Sequence, residues 1–411
     1  MTVQSQARDE DRHALISRLL LLVCTTAIIL LNARTLGATG QGEIAWIQLG
    51  ILLITGISGF LAGGTVVFLQ KEMHVWNALI PGHLWLIASA VAGTGIGTAM
   101  HLLPATHFVF IAATGWMQGA IIFHGQLLLA EQKIKSHNAL QVLQSGVLLI
   151  ILCALFSTKE WPQVSDFLNA LAASLGVAFI VSVILVRRQV QRPLKLERLS
   201  PSHVARRLWT FGRAAQSGAL LQMLTNRANL SLLAQAPAGI AASGVYSIAF
   251  YGLEAMWLIP RALAPLVYTR TASENQRNFR VSNTRTQLHR ALLGAAVSLL
   301  CAVLIPESIY QWVFGFDGIR PVVIGLAPAA IAGAFSSIVA HHLSGIGQHR
   351  WNAWTSAAGF ITLLILATAF IPMLGAVGAA YAASGAAIVQ AFGLLAAWSK
   401  CESTSALKLL F

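Results

Sequence analysis

The chain has 411 residues, of which 56% are apolar and only 10% are charged, and its mean hydropathy is +0.70. Soluble globular chains carry about 25% charged residues. So few charges cannot cover a water-exposed surface, which excludes a soluble enzyme, a disordered chain and a secreted disulfide scaffold. The net charge of +13 raises the question of nucleic-acid binding. However, the basic residues lie in short segments between apolar runs, as in membrane proteins, so no nucleic-acid partner is expected.

Motifs for cofactors and catalysis are absent from the sequence. The four cysteines have neither CxxC nor Cys/His spacing, which predicts no disulfide and no metal site. No phosphate-binding GxxxxGK[ST] loop and no HExxH motif occurs. The connections between apolar runs are too short to hold a catalytic domain. We therefore expect a protein that is not an enzyme and that uses no cofactor.

Twelve apolar windows are long enough to predict transmembrane helices. The first six windows are 14–31, 44–69, 79–103, 108–129, 140–156 and 167–186. The second six windows are 211–234, 243–268, 291–305, 321–343, 353–371 and 375–398. The predicted fold is an all-α polytopic membrane protein with about twelve transmembrane helices.

The distribution of Lys and Arg predicts the orientation of these helices. On one side, which includes both termini, the loops collect 20 of these residues, whereas the other side has 3 and the remaining four lie inside spans. Basic residues concentrate in cytoplasmic loops. Both termini are therefore expected in the cytoplasm.

The longest connection divides the spans into two sets of six. It predicts an N-terminal lobe over 1–186, a cytoplasmic basic linker over 187–210 and a C-terminal lobe over 211–411. Within the linker, residues 202–210 (SHVARRLWT) allow two interpretations: a basic amphipathic helix on the inner leaflet, or a segment that only obeys the positive-inside rule.

A weak internal repeat supports this division. Three glycines, at positions 37, 42 and 50, recur 202 residues later at 239, 244 and 252. Both triplets run from a Gly-rich turn into an even-numbered span. Such recurrence is typical of parallel repeats in transporters.

Three ionisable residues lie deep inside predicted spans. Arg227 is in span 7, and Glu254 and Arg261 are in span 8, seven residues apart on one helical face. A charge at the bilayer centre costs at least ~2.5 kcal/mol on insertion scales, so such residues are functional candidates by default. Arg18 and Arg213 lie near span ends, where long side chains reach the interface.

Span 7 also carries neutral polar residues, among them Gln222 and Asn226, on a second face. A helix that is polar on two faces should contact protein or water on both. Two interpretations of the charges remain open. Arg227 and Glu254 form a structural ion pair, or the two deep arginines create a net positive cavity for an anionic substrate. Arginine suits phosphate, because its planar guanidinium pairs with two oxygens at once.

Three segments resemble bacterial polysaccharide and O-antigen flippases, within the superfamily of multidrug, oligosaccharidyl-lipid and polysaccharide exporters. They are 32–42 (NARTLGATGQG), 207–233 (RLWTFGRAAQSGALLQMLTNRANLSLL) and 244–268 (GVYSIAFYGLEAMWLIPRALAPLVY). The first is similar to the ARxLGxxGxG turn of that family, and the last to its GxYxxA motif with the IPRA-like stretch that follows.

The resemblance implies two six-helix lobes around a central cationic cavity. It also implies outward movement of a polyprenyl-diphosphate-linked oligosaccharide by alternating access in the bacterial cytoplasmic membrane. Arg34, Arg227 and Arg261 match family arginines and, with Gln222 and Asn226, are the candidate substrate-binding residues. Arg227 and Arg261 would contact the diphosphate, whereas Arg34, in an outer turn, either binds substrate or holds the turn. Ala228 stands where the family often has Asp, which leaves Glu254 for coupling or charge balance. Membrane lipids, a polysaccharide polymerase and glycosyltransferases are the candidate partners.

Two other functions stay open from the sequence. A multidrug cation antiporter of the same superfamily would favour a cavity with net acidic charge, whereas this chain places two arginines against one glutamate. A membrane scaffold for polysaccharide assembly, without transport, would tolerate replacement of those arginines.

Overall fold

The computed structural model describes residues 3–70, 72–190, 199–274 and 276–405. Across these residues the chain forms fourteen α-helices and no strand. The predicted all-α class is therefore confirmed. The helices belong to two compact units, which are described separately. Unit 1 comprises Met1–Leu36 and Trp46–Gln216, and unit 2 comprises Gly37–Ala45 and Ser217–Phe411.

Unit 1 takes most of α1 (Val3–Ala62) and the beginning of α7 (Pro201–Gln235). Between them it contains α2 (Thr65–Leu69), α3 (Trp76–Ala99), α4 (Phe108–Ala130), α5 (Ile134–Thr158) and α6 (Val164–Gln189). Unit 2 takes the rest of α7 and all later helices. These are α8 (Gly239–Met256), α9 (Leu258–Ser273), α10 (Arg277–Leu304), α11 (Glu307–Phe314), α12 (Ile319–Gly325), α13 (Ala327–Gly345) and α14 (His349–Cys401).

Seven of the described helices are long and apolar enough to cross a membrane, and an eighth span results if α12 and α13, bent by 48°, count as one. The longest two are α1 and α14. The first contains predicted span 1 and most of span 2, which ends in α2, and the second contains predicted spans 11 and 12. Non-helical glycines divide them, Gly37 in α1 and Gly375 in α14. The polar residues in α7 and α8 keep these two helices out of this set. α7 corresponds to predicted span 7, whereas predicted span 8 is divided at Trp257 into α8 and α9, so that Glu254 and Arg261 lie on successive helices and not on one.

Large apolar side chains cover much of the outside of these helices. Val23, Val109, Leu300 and Phe392 are all more than half exposed. Large apolar side chains exposed in such numbers are rare on soluble monomers, and lipid is the solvent that they match. The chain is therefore a multi-pass membrane protein.

The basic segment at the start of α7 packs into the core of unit 1. Val204 and Leu208 are fully buried there in an apolar cluster with residues of α2, α3 and α4. The Trp209 ring stacks on that of Phe60 at 5.3 Å between centroids. Arg207 forms an exposed ion pair with Glu72, 3.4 Å between Nη2 and Oε2. The segment is therefore the first part of a long helix, held by its apolar face.

In unit 2, the repeated glycines meet at a close helix crossing. The first pair, Gly37 and Gly239, both have positive φ, 64° and 71°, which glycine adopts without strain. At the second pair, a Cβ on Gly42 would lie 1.9 Å from the carbonyl oxygen of Ile240, and a Cβ on Gly244 would lie 1.9 Å from that of Ala38. Only glycine lets the two backbones approach this closely, so the two repeat-related segments pack directly on each other.

Candidate functional site

The polar residues of α7 make contacts on both faces of the helix. On one face Asn229, fully buried, donates to the Tyr246 hydroxyl at 3.1 Å and to the Ala379 carbonyl at 2.9 Å. These bonds tie α7 to α8 and α14. Within unit 1, Gln216 donates to the carbonyl of Gly56 at 3.2 Å. The two-faced polarity of α7 therefore reflects partners on each side, as the sequence predicted.

Gln222 is the centre of an amide cluster between α7 and α14. Its Oε1 accepts from Ser356 at 3.3 Å and from Nε2 of Gln390. Its Nε2 donates to Oδ1 of Asn226 at 3.3 Å. The Gln390 amide also donates to the Ser356 hydroxyl at 3.2 Å. Shared hydrogen bonds fix the orientation of Gln222, since its oxygen and nitrogen have different partners.

The other face of α7 carries the ion pair with α8. Arg227 Nη2 lies 2.5 Å from Oε2 of Glu254, and the two side chains are 16% and 25% exposed. The Arg227 guanidinium also lies over the rings of Phe250 and Tyr251, 4.8 Å and 5.2 Å from their centroids. Carboxylate and aromatic faces both stabilise a guanidinium removed from water.

The same carboxylate serves a second arginine. Arg261, at the beginning of α9, places Nη2 3.7 Å from Oε1 of Glu254. Its side chain is 49% exposed, and its guanidinium lies 5.5 Å from the centroid of the Trp257 ring. One glutamate therefore balances two arginines, so the cluster of Arg227, Glu254 and Arg261 has one net positive charge. Arg261 is its most exposed member.

A cavity of about 280 Å³ opens beside Arg261. Five small residues on α13 and α14 create the space: Ala329, Gly333, Ala340, Ala383 and Ala387. Polar residues of three helices line it, namely Gln222, Thr225, Asn226, Ser336, Ser337, His341 and Gln390. Trp257 forms part of the wall, and a Cβ on Gly333 would lie 2.3 Å from its Cζ2 atom. Glycine at 333 thus leaves room for the indole ring.

The candidates chosen from the sequence occupy different positions. Arg261, Gln222 and Asn226 line the cavity. Arg227 and Glu254 form the ion pair next to it and are not among its lining residues. Arg34 is an exposed residue of α1 in unit 1. In the part of the chain that the structure describes, no cluster of His, Cys, Asp and Glu could hold a metal ion.

Sequence reasoning missed Ser336, His341 and Gln390. Ser336 and His341 each precede a second polar residue and Gln390 stands alone, but all three lie in apolar runs, whose hydropathy tolerates a few polar residues. The only sequence signal for the residues on α13 was their helical spacing. The cavity-lining residues of α13 follow the pattern i, i+1, i+4 and i+5, which places them on one side of the helix; they are Ser336, Ser337, Ala340 and His341. That pattern is common in buried helices and carries little information without the partner helices.

Solved structures of membrane transporters share this fold. A multidrug resistance transporter of the MATE family, of the MOP superfamily, in an inward-facing conformation matches with a TM-score of 0.73 at 12% identity, covering 93% of this chain and 94% of that one. The lipid II flippase MurJ, in an inward closed conformation, matches with a TM-score of 0.67 at 12% identity, covering 98% and 89%. The Vibrio cholerae MATE transporter VcmN in the bent form matches with a TM-score of 0.58 at 17% identity, covering 97% and 98%.

These comparisons define the fold class of the chain. No protein-family model and no curated protein matches the chain. The chain is thus a multi-pass α-helical membrane protein with a fold that MATE transporters and MurJ share. At such low identity the likeness establishes the fold, and function has to be argued from this chain's own residues.

Proposed function

We propose that this protein moves a polyprenyl-diphosphate-linked oligosaccharide outward across the bacterial cytoplasmic membrane, by alternating access, for surface polysaccharide synthesis. One observation carries the proposal: two arginines in helices that correspond to predicted spans 7 and 8 share a single carboxylate, and the more accessible of them, Arg261, lines a cavity that has polar residues in its wall. A site with excess positive charge and an exposed guanidinium suits a phosphate-bearing substrate.

Arg261 is the residue proposed to bind the diphosphate. Its distance of 3.7 Å from Glu254 is too long for a hydrogen bond, so its N–H groups remain available. A guanidinium keeps its charge when buried and pairs with two phosphate oxygens, which gives both strength and orientation. Gln222 and Asn226 add neutral polar contacts next to it.

Arg227 and Glu254 act on this site indirectly in the proposal. Arg227 holds the Glu254 carboxylate, and the position of that carboxylate sets how much of the Arg261 charge a substrate encounters. A phosphate that binds Arg261 competes with Glu254 for the guanidinium. Binding and release of the substrate can thereby shift the balance between two arrangements of Glu254 and Arg261. Arg34 is proposed to stabilise the part of α1 in which it lies.

A multidrug cation antiporter is the second candidate, because MATE-family transporters share the fold. Its substrates are cations, which a carboxylate in the cavity would attract. The lining residues described here include Arg261 and no Asp or Glu. The charge of the site therefore favours the anionic substrate. A non-transporting scaffold predicts instead that the charge of Arg261 has no effect on polysaccharide export.

The test replaces Arg261 in a bacterium whose surface polysaccharide depends on this protein. Arg261→Ala should abolish surface polysaccharide, whereas Arg261→Lys should restore part of it, because lysine keeps the charge but loses the planar fork. The matched control is Arg270→Ala on the same helix, which removes an exposed arginine bonded to Asn283 and should leave export unchanged.

Membrane levels of each variant, measured by immunoblot, separate loss of function from loss of protein. Normal polysaccharide in Arg261→Ala at normal protein level would refute the proposal. Drug resistance conferred by the wild-type chain, without any effect on polysaccharide, would establish the antiporter instead.

A further inference from the structure

Both ends of α14 meet at one end of unit 2. Gly375 divides this helix into two halves, which pack closely on each other. A Cβ on Gly393 would lie 2.8 Å from Cγ2 of Thr355, and a Cβ on Gly385 would lie 2.3 Å from Cδ1 of Leu366. Since early residues of the helix face late ones, the halves run antiparallel. The beginning and the end of α14 therefore lie side by side.

Two cations from these adjacent ends contact one indole ring. The guanidinium carbon Cζ of Arg350 lies 5.9 Å from the centroid of the Trp351 ring, and Nζ of Lys400 lies 5.6 Å from the same centroid. Both distances are within the range of a cation–π contact, about 6 Å, and both cations are exposed. The ring of Trp351 therefore holds two positive charges near each other at the surface.

Neither cation has an acidic partner among the residues that the structure describes. The acidic residue nearest to Lys400 in the sequence is Glu402, which is buried inside unit 2 and serves other partners. These are His342, Arg277 and Arg280. The charges of Arg350 and Lys400 are therefore uncompensated. Two like charges on one ring repel each other, and an anion bound between them would remove that repulsion.

Exposed apolar side chains continue from each cation along α14. Trp354 is 71% exposed and lies one helical turn from Arg350, and Ile361 extends the same face. On the other half of the helix, Phe392 is 68% exposed and lies two turns from Lys400. Tryptophan is enriched at the boundary between lipid headgroups and hydrocarbon. Trp354 at that boundary places Arg350 and Lys400 at the level of the headgroups.

We propose that Arg350, Trp351 and Lys400 form a binding site for the headgroup of an anionic phospholipid. The phosphate lies between the two cations, and the acyl chains lie against the exposed apolar faces of α14. A guanidinium pairs with two phosphate oxygens, and an ammonium adds a point charge. Basic groups between transmembrane helices on the cytoplasmic side are typical of such sites, and the sequence predicts that this end is cytoplasmic. The proposal does not depend on which substrate the protein moves.

The Trp351 ring distinguishes this site from the positive charge that marks any cytoplasmic helix end. Orientation in the membrane requires only the charges, whereas a bound headgroup requires that the charges have fixed positions. Trp351 itself packs against the apolar cluster of unit 2 that contains Leu394 and Trp398. Removal of the ring, with both charges retained, should therefore weaken lipid binding if the site exists and leave it unchanged if only overall charge matters.

Lipid binding can be measured by native mass spectrometry of the full-length protein in detergent. The protein is titrated with phosphatidylglycerol and, separately, with the zwitterionic phosphatidylcholine. Wild type should retain one phosphatidylglycerol at least about 10-fold more tightly than phosphatidylcholine, and Arg350→Gln and Lys400→Gln should each weaken its binding about 5-fold. The matched control is Arg290→Gln, an exposed arginine of α10, which should leave binding unchanged. Equal retention of both lipids by wild type would overturn the proposal, as would equal effects of Arg290→Gln and Arg350→Gln.

Two ring variants complete the test. Trp351→Leu should weaken the binding of phosphatidylglycerol about as much as Arg350→Gln, whereas Trp351→Phe, which keeps an aromatic face, should retain most of it. Thermal unfolding of each variant verifies that it is folded, and if Trp351→Leu is not, Trp351→Phe and the double variant Arg350→Gln/Lys400→Gln decide. Unchanged binding in folded Trp351→Leu, or in the double variant, would overturn the proposal. Displacement of phosphatidylglycerol by inorganic phosphate would also overturn it, because the site would then be one for a free anion.

Discussion

Arg227 on α7 and Glu254 on α8 are joined by a 2.5 Å contact between Nη2 and Oε2, although 27 residues separate them in the chain. The pair is asymmetric in its other contacts. Glu254 has a second cationic partner in Arg261, whereas Arg227 has aromatic rings at its other face. This asymmetry makes the consequences of removing each partner different.

Removal of the carboxylate should be the more damaging change. Glu254→Gln leaves two arginines without their counter-charge, and breaking a buried ion pair in this way costs 3–5 kcal/mol in soluble proteins. Because both groups are partly exposed, we expect a loss of about 3 kcal/mol. Arg227→Gln should cost less, since Arg261 still faces Glu254. Thermal unfolding of the purified variants in detergent measures both losses of stability. Equal losses in Glu254→Gln and Arg227→Gln would contradict the expected difference between the two partners.

Alanine at the glycine crossing should destabilise unit 2. In both Gly42→Ala and Gly244→Ala the new Cβ meets a backbone carbonyl at 1.9 Å, and backbone cannot give way as a flexible side chain does. Each should lower the free energy of unfolding by more than about 2 kcal/mol. The double variant should lose less than the sum, because one displacement relieves both clashes.

The matched control for this crossing is Gly252→Ala on the same helix as Gly244. A Cβ at Gly252 meets nothing within 4 Å, so the substitution should raise stability by up to about 1 kcal/mol, as alanine does in a helix interior. Thermal unfolding again supplies the measurement. Similar losses at positions 244 and 252 would show that the crossing is not the cause.

The start of α7 should depend on its apolar face rather than its charges. Leu208→Ala removes a fully buried side chain from the unit 1 cluster and should cost about 3 kcal/mol. Arg206→Ala, at an exposed position of the same turn, should change stability by less than about 0.5 kcal/mol. A segment held to the inner leaflet by charge would show the opposite order in liposomes with anionic lipid.

Glu402 should make the stability of unit 2 depend on pH. Its carboxylate is 1% exposed and accepts from His342 at 2.9 Å, with Arg277 and Arg280 each 3.5 Å away. Burial raises the pKa of Glu402, but the hydrogen bond from His342 and the charge of Arg280 lower it more, so the pKa lies below its ordinary value of 4.5.

A lowered pKa in the folded state means that this carboxylate stabilises the protein above pH 4.5 and that the stabilisation disappears as the pH falls through the folded-state pKa. Wild type should therefore be more stable than Glu402→Gln at pH 7, and the difference should shrink on acidification. Thermal unfolding of both between pH 3 and pH 7 measures this. A difference independent of pH would exclude charge as the source.

Local sequence predicted much of the candidate site. Intramembrane charge identified Arg227, Glu254 and Arg261, because a charge in lipid is costly wherever it occurs in an apolar run. The sequence did not tell which of the two arginines faces a cavity. That depends on the rotation of α7, α8 and α9 against one another, which contacts with α13 and α14 decide.

The sequence by itself determined that this is an all-α membrane protein, where most of its spans lie and that a Gly-rich turn follows the first span. Each of these follows from the hydropathy or conformational freedom of a few neighbouring residues. Only the tertiary structure decided that Arg227 is paired and that Arg261 opens on a cavity with Ser336, His341 and Gln390. Those relationships join residues up to 168 positions apart, such as Gln222 and Gln390, and a neutral polar side chain in an apolar helix does not reveal which other helix it will contact.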